Sequence, residues 1–435
     1  MDQNRNSKQG QQRKQQGIFS LAPRVKPEAV GFDSSRLTRI CHHIERRIRE
    51  QNIAGAVSAV ARDNRLVHWD IQGYADIESC SPLQENAIFR LASMTKPVIG
   101  VAVLILAEEG RIRLDDPLSK YIPEYRYMKV ALSDPEMSAS RHQPDSRTST
   151  GEILPSIPPY KTVPADREIT IRDLLSHSSG LGQGEIGLAE MARRMPKDDD
   201  TLADLIPQWA SVPLDFQPGT QTGYSPMAGF DILGRVVEIA SAMSLDRFLS
   251  KYIFEPLGMS DTSFVPSEDQ WKRIVTLYNS TPQGLVRSLD QKPFFYPKYF
   301  CGAGGLHGTA EDYFRFVLML ANGGELNGTR ILSPRMVQLM RSPQLDERTP
   351  GLSKGQNWGL SVRVITDGSA SGAPLTTGSF GWSGAWGTHF WTDPGENLVA
   401  LLMINLENAG GAGAETAREF EMAVMQSITE LRFKG

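Results

Sequence analysis

From Ser34 to Gln51 the apolar positions Leu37, Ile40, Cys41, Ile44 and Ile48 recur every three or four residues, which predicts a helix with one buried face. The pattern then changes. Ala56 to Ala61 reads as a strand, Arg62-Asp63-Asn64 as a turn and Arg65 to Ile71 as a second strand, so an antiparallel hairpin is expected. Met94 to Glu109 is a strongly apolar helical stretch, closed by Gly110 in the position of a helix C-terminal glycine. Ile169 to Leu175 and Leu202 to Trp209 read as short helices, Met227 to Ser250 as a longer helical region and Thr309 to Asn322 as an amphipathic helix. Toward the C-terminus Trp358 to Ile365, Gly378 to Thr392 and Asn397 to Ile404 are strand-like, broken by Gly and Pro, before Ala414 to Arg432 returns to helical spacing. Met128 to Arg167 is rich in Ser, Pro, Asp and Thr and is expected to be a surface insertion or lid.

Strands at both ends of the chain with helices between them predict an α+β fold. An antiparallel sheet from both ends would be flanked by helices, and the middle would form a mainly helical second lobe. A disordered leader is expected at 1–17, followed by one catalytic domain at 18–435. Its α/β lobe is expected at approximately 28–110 and 300–435, and its helical lobe at approximately 111–299.

Composition narrows the classes. With 435 residues, 40% hydrophobic and 22% charged, the chain can bury a sizeable core. Its 46 Lys+Arg against 50 Asp+Glu leave a formal charge of −4, with no electrostatic footprint for nucleic acid or an acidic membrane. The longest strongly apolar run, Val98 to Ala107, is about half of the roughly 20 residues a membrane-spanning helix needs. Met1 to Gly17 is Gln, Asn, Lys and Arg without an apolar core, unlike a secretory signal, and Cys41, Cys80 and Cys301 form no pairing or zinc spacing. A cytoplasmic protein is expected.

Three segments carry chemistry. Ser93-Met94-Thr95-Lys96 puts a serine and a lysine one helical turn apart at the start of the apolar helix. There the helix dipole and free backbone N–H groups favour an incipient anion, and a lysine in an apolar site can accept a serine proton. A chain this long is expected to contain roughly one such spacing by chance, so the motif needs company. Gly223-Tyr224-Ser225-Pro226 offers a tyrosine ahead of a helix, able to act as a base beside a cation or equally to be an ordinary half-buried side chain. Gly381-Trp382-Ser383-Gly384-Ala385, with Trp386 after it, is either a strand along which a substrate can lie, its backbone N–H completing an oxyanion hole, or a glycine-rich bend.

Gly351-Leu352-Ser353-Lys354-Gly355 matches a nucleophile-elbow spacing but lacks the strand before it and the helix after it, and is rejected. His42, His43, His68, His142, His177, His307 and His389 are dispersed without metal-ligand spacing. No phosphate loop is present and no cofactor is required.

Together the three segments resemble, in order and separation, the serine β-lactamase and penicillin-binding protein superfamily. The resemblance is closer to class C β-lactamases and to family VIII carboxylesterases. Phe89-Arg90-Leu91-Ala92, Glu108-Glu109-Gly110, Leu114-Asp115-Asp116-Pro117, Leu174 through Leu181 and Gly304-Gly305-Leu306 add to it, so that it runs from about Val30 to Leu431. It implies that Ser93 is acylated, that Lys96 and Tyr224 transfer its proton, and that the N–H groups of Ser93 and Ala385 form the oxyanion hole. Trp382, Ser383, Gly384 and Trp386 would bind substrate. Two departures point toward esters: Pro226 stands where class C β-lactamases carry Asn, and Trp382 where they carry the Lys of Lys-Thr-Gly. The expected activity is hydrolysis of short-chain carboxylic esters with water, weak β-lactam hydrolysis being a side activity. A β-lactamase, a D-amino-acid peptidase, an amidase or an acyltransferase of the same fold are the alternatives, with a non-catalytic sensor or scaffold, which would be expected to lose Lys96 or Tyr224, behind them. Tyr296, Tyr299, Phe300, Trp386 and Trp391 are candidates to line an acyl or alcohol pocket.

Overall fold

The computed structural model describes residues 22–133, 155–407, 409–411 and 413–432. The expected leader at 1–17 lies outside the described residues, as do residues 134–154 of the insertion. The flanks of the insertion, Lys129–Ser133 and Tyr160–Pro164, pair as an antiparallel hairpin.

The first predicted helix is broken at Thr38. A short turn of helix, Ser34–Leu37, is capped by the Asp33 carboxylate, which accepts from the Arg36 N–H, and helix α1 then runs Arg39–Arg49. Ile40 and Ile44 are buried as the spacing requires, whereas Cys41 is only half-buried. Burial, followed by the neighbouring Asp70, pushes its thiol up to about 11.

Strands β1 (Gly55–Arg62) and β2 (Arg65–Asp76) form the predicted hairpin. Both turn residues, Asp63 and Asn64, have positive φ (52° and 56°), the conformation a two-residue hairpin turn demands and these two residue types tolerate. β3 (Ser81–Pro82), β4 (Gln356–Trp358), β5 (Arg363–Ile365), β6 (Phe380–Ser383), β7 (His389–Asp393) and β8 (Leu398–Met403) complete an eight-stranded antiparallel sheet in the order β4-β5-β6-β7-β8-β1-β2-β3. The two chain ends meet where Val57 lies opposite Met403 and Arg62 opposite Leu398. The stretch expected as one strand from Trp358 to Ile365 is two, because a turn closed by Gly359 N–H on the Val362 carbonyl, with Ser361 at φ 71°, reverses the chain.

Alternation along the strands divides the core. Phe390, Leu401 and Met403 face the helices α2 (Thr95–Glu108), α3 (Ala228–Ser241) and α4 (Ala310–Ala321). Trp391, Ala400 and Leu402 face α1 and the C-terminal helix α5 (Glu415–Met425), which ends seven residues short of the expected Arg432 because Gln426 caps it. Helix α2 is buried continuously from Thr95 to Leu106, which explains why its sequence is apolar on every face. At the outer end of β1 the guanidinium of a fully buried Arg62–Glu396 ion pair also donates to the Val30 and Glu430 carbonyls, tying those two segments to the sheet. Among the described residues no helix is long and apolar enough to cross a membrane.

Candidate active site

Ser93 sits in a 3-10 turn, Ala92–Met94, immediately ahead of α2. Ala92 has φ 47°, a left-handed conformation costing an alanine about 1–2 kcal/mol, and it is held there by its packing against the sheet. The helical spacing brings Lys96 Nζ to 3.2 Å from Ser93 Oγ. Lys96 is completely buried. Its remaining donors go to the Pro226 carbonyl at 2.8 Å and the Ala303 carbonyl at 2.8 Å, so three N–H groups meet three acceptors, the full complement of an ammonium.

Tyr224 completes the cluster, its phenol oxygen 2.6 Å from Ser93 Oγ. Lys96 Nζ lies 5.1 Å from the centre of the Tyr224 ring and 5.6 Å from that of Phe230. The loop carrying Tyr224 is pinned by His177, whose carbonyl accepts from Thr222 Oγ1, Gly223 N–H and Gln183 Nε2, and whose Nδ1 accepts from Ser225 N–H at 3.1 Å. Burial, and after it the Lys96 charge, hold the His177 imidazole far below its ordinary pKa, and an accepting Nδ1 is what a neutral ring offers. Beneath Lys96 lies the fully buried Asp231, which accepts from Tyr299 OH at 2.7 Å and Ala303 N–H at 2.8 Å. It therefore fixes the residue whose carbonyl receives Lys96.

The third segment closes the site from the sheet. The Trp382 ring lies 5.2 Å from Tyr224 and 4.8 Å from Trp358, making a continuous aromatic wall. Ser383 points to the other face, where its hydroxyl bonds His389 Nδ1 at 2.7 Å. His389 Nε2 in turn lies 3.2 Å from Glu421, as does Arg363. Burial would raise the Glu421 carboxyl, but His389 and Arg363 outweigh it and hold it below its ordinary range. Gly384 is required by close approach: a Cβ there would stand 2.5 Å from the Leu91 carbonyl oxygen and 3.2 Å from Ala92 Cβ. The β6–β7 hairpin tip, with Ala385 exposed, thus rests against the turn that holds Ser93. Thr388 Oγ1 adds a 3.1 Å bond to the Leu91 carbonyl. Trp386 packs with Ala92, Leu277 and Phe294.

Of the further pocket candidates, Tyr299 and Trp391 are core residues. Tyr299 is occupied by Asp231, and Trp391 faces α5, where Phe420 meets its ring. Phe300 packs on Phe264 and Tyr296 on Tyr299. Beyond Tyr224, Trp358 and Trp382 opens a cavity of about 640 Å³, with Ala373, Arg363 and Met422 among its other walls. Gly351–Gly355 leads straight into β4 without a helix, so it forms no nucleophile elbow, and its Ser353 lines this cavity instead. Sequence reasoning missed His177 and Asp231. Asp231 does carry a signal, a lone carboxylate in the apolar run Phe230 to Leu233, and His177 stands inside the Ser176-to-Gly180 phrase.

A family model described as Beta-lactamase matches residues 41–421. Protein Rv1367c of Mycobacterium tuberculosis (strain ATCC 25618 / H37Rv) is 35% identical over 370 residues, 81% of this chain and 86% of its own. Esterase EstB of Burkholderia gladioli is 28% identical over 424 residues, 91% of this chain and 97% of its own. The solved structure of EstCE1, described as a hydrolase with promiscuous acyltransferase activity, covers 90% of this chain and 99% of its own at 24% identity, with a TM-score of 0.71. These matches define the class as a serine hydrolase with the β-lactamase fold. The chain belongs to the beta-lactamase family.

Proposed function

We propose that the protein is a serine carboxylesterase acting on short-chain carboxylic esters through an acyl-enzyme on Ser93. In this reading Lys96, held by the Pro226 and Ala303 carbonyls, fixes the Ser93 hydroxyl in place. Tyr224 takes the Ser93 proton as Ser93 Oγ attacks the ester carbonyl, and gives it to the departing alkoxide. A water activated by the same oxygen then releases the acid. The N–H groups of Ser93 and Ala385 receive the oxyanion, a role supported by the contact of Gly384 with the Leu91–Ala92 backbone. Trp382, Gly384 and Trp386 bind substrate in the same reading, and Ser383, whose hydroxyl bonds His389 on the other face, contributes only its backbone.

The observation that carries the ester preference is Trp382 over Tyr224: an apolar ring stands where class C β-lactamases place a cation, which suits an uncharged ester better than an anionic lactam. The relative EstB, named as an esterase, agrees with it. Hydrolysis of p-nitrophenyl butyrate and of nitrocefin by the protein and its Ser93→Ala variant tests the reading. Ester cleavage lost in the variant, with slow nitrocefin turnover, is expected. Faster turnover of nitrocefin would make this a β-lactamase, and full activity in the variant would remove Ser93 as nucleophile.

A further inference from the structure

The acid–base chemistry fixes which half of an ester goes where. When the tetrahedral intermediate collapses, the bond from the carbonyl carbon to the alkoxide oxygen breaks, and that oxygen takes its proton from Tyr224. The alkoxide oxygen must therefore sit at the Tyr224 hydroxyl, and the rest of the alcohol extends past it. Past it lies the cavity of about 640 Å³, a volume within the range of sites that enclose whole drug-sized ligands. Its near wall is a run of aromatic faces: Tyr224 and Trp358 are near-parallel at 15° with centroids 6.2 Å apart, and Trp382 lies against both. Further out the lining is mixed, with Ala373 and Met422 beside Arg363, Arg418 and Glu421.

The residue before Ser93 is covered by a separate apolar cluster that does not line this cavity. Ala92, Leu277 and Trp386 pack together there, and Phe294 joins them with its ring 5.6 Å from Trp386. Phe294 is itself in the left-handed region at φ 56°, an arrangement a phenylalanine adopts only where its surroundings hold it. A Cβ on Gly304 would stand 3.7 Å both from Ala92 and from the Phe294 ring, so the wall is closed against the residue preceding the nucleophile.

We infer that the enzyme is selective at the alcohol half of its substrate: it takes esters of a small acid with a bulky, flat aromatic alcohol, the alcohol stacking on Trp358 and Trp382 while Phe294 and Trp386 limit the acyl chain. This rests on the serine-esterase reading and adds the direction in which the ester lies. Two substrate series read it out. Acetates of ethanol, benzyl alcohol and 2-naphthalenemethanol vary the alcohol at similar leaving-group acidity, and p-nitrophenyl acetate, butyrate and octanoate vary the acid.

From ethyl to naphthylmethyl acetate kcat/KM is expected to rise by about tenfold or more, through added apolar contact. From acetate to octanoate it is expected to fall. Ala373→Phe, which fills the cavity from its outer wall, should lower the ratio of kcat/KM for naphthylmethyl over ethyl acetate by about tenfold. Phe294→Ala should relieve the octanoate penalty by about tenfold and leave the alcohol series unchanged. The inference is overturned if Ala373→Phe alters the acyl series instead, because the cavity would then hold the acid, or if neither series responds to either variant. Loss of ethyl acetate turnover in Ser93→Ala, measured alongside, keeps these outcomes separate from a failure of the esterase reading.

Discussion

Asp231→Asn offers a quantitative test of the electrostatics beneath the nucleophile. The carboxyl is wholly enclosed, and burial, its largest influence, pushes it up to about 6 against the opposing pull of Tyr299, Ala303 and Lys96. In the unfolded chain an aspartate titrates near 3.9. Between about pH 4 and pH 6 the folded protein therefore holds a proton that the unfolded chain has lost, and stability falls as pH rises through that window. Roughly two pK units at 1.36 kcal/mol each give a loss of about 3 kcal/mol, complete near neutral pH. Asparagine preserves the shape, and its carbonyl oxygen can still accept from the Ala303 N–H, yet it does not titrate. Urea unfolding of both proteins from about pH 4 to pH 8 isolates the group, because other raised carboxyls, such as Asp312 at about 7, are common to both and cancel in the difference. The stability of the native protein relative to the variant should drop by about 3 kcal/mol across the window. A difference that stays level with pH would refute the reasoning. Activity should fall in the variant at neutral pH, since the Lys96 ammonium loses its buried counter-charge.

Tyr224→Phe removes the phenol oxygen 2.6 Å from Ser93 and should lower kcat by about 10²–10⁴, with KM little changed, in steady-state assays on p-nitrophenyl butyrate. Gly384→Ala drives a Cβ onto the Leu91 carbonyl and should push the hairpin tip off the Ser93 turn. A loss of about 10² in kcat is expected with a thermal midpoint close to the native one, and retained activity would show that the tip takes no part. Glu396→Ala leaves the Arg62 guanidinium buried without its anion and should cost about 3–5 kcal/mol in urea unfolding.

Local patterning carried a large part of the fold. The Asp63-Asn64 hairpin, the apolar α2 and the strands near the C-terminus are written in nearest-neighbour chemistry, so period and turn residues reveal them. The break at Thr38 and the reversal at Ser361 were not, because each depends on what the chain packs against. The same division holds in the site. Helical spacing singles out Ser93 and Lys96 as candidates, but they and Tyr224 become identifiable only when the three segments are taken together. The pocket candidate Trp391 lies in a different core from its sequence neighbour Phe390, a division set by the strand period that composition alone does not show. His177 and Asp231 act through backbone groups of distant residues, a relation no linear motif expresses.

Because β1 finds its partner in β8, the sheet cannot close until the chain has left the ribosome as far as Met403. Until then the β1–β2 hairpin waits with an open edge, able to recruit a strand from another nascent chain, and a holding chaperone would have its greatest effect during that interval. A message cut short before Leu398 would still encode Ser93, Lys96 and Tyr224, yet the product would lack the strand that seats β7 and β6 behind them. Premature termination between Tyr224 and Leu398 should therefore abolish the enzyme as completely as loss of the nucleophile.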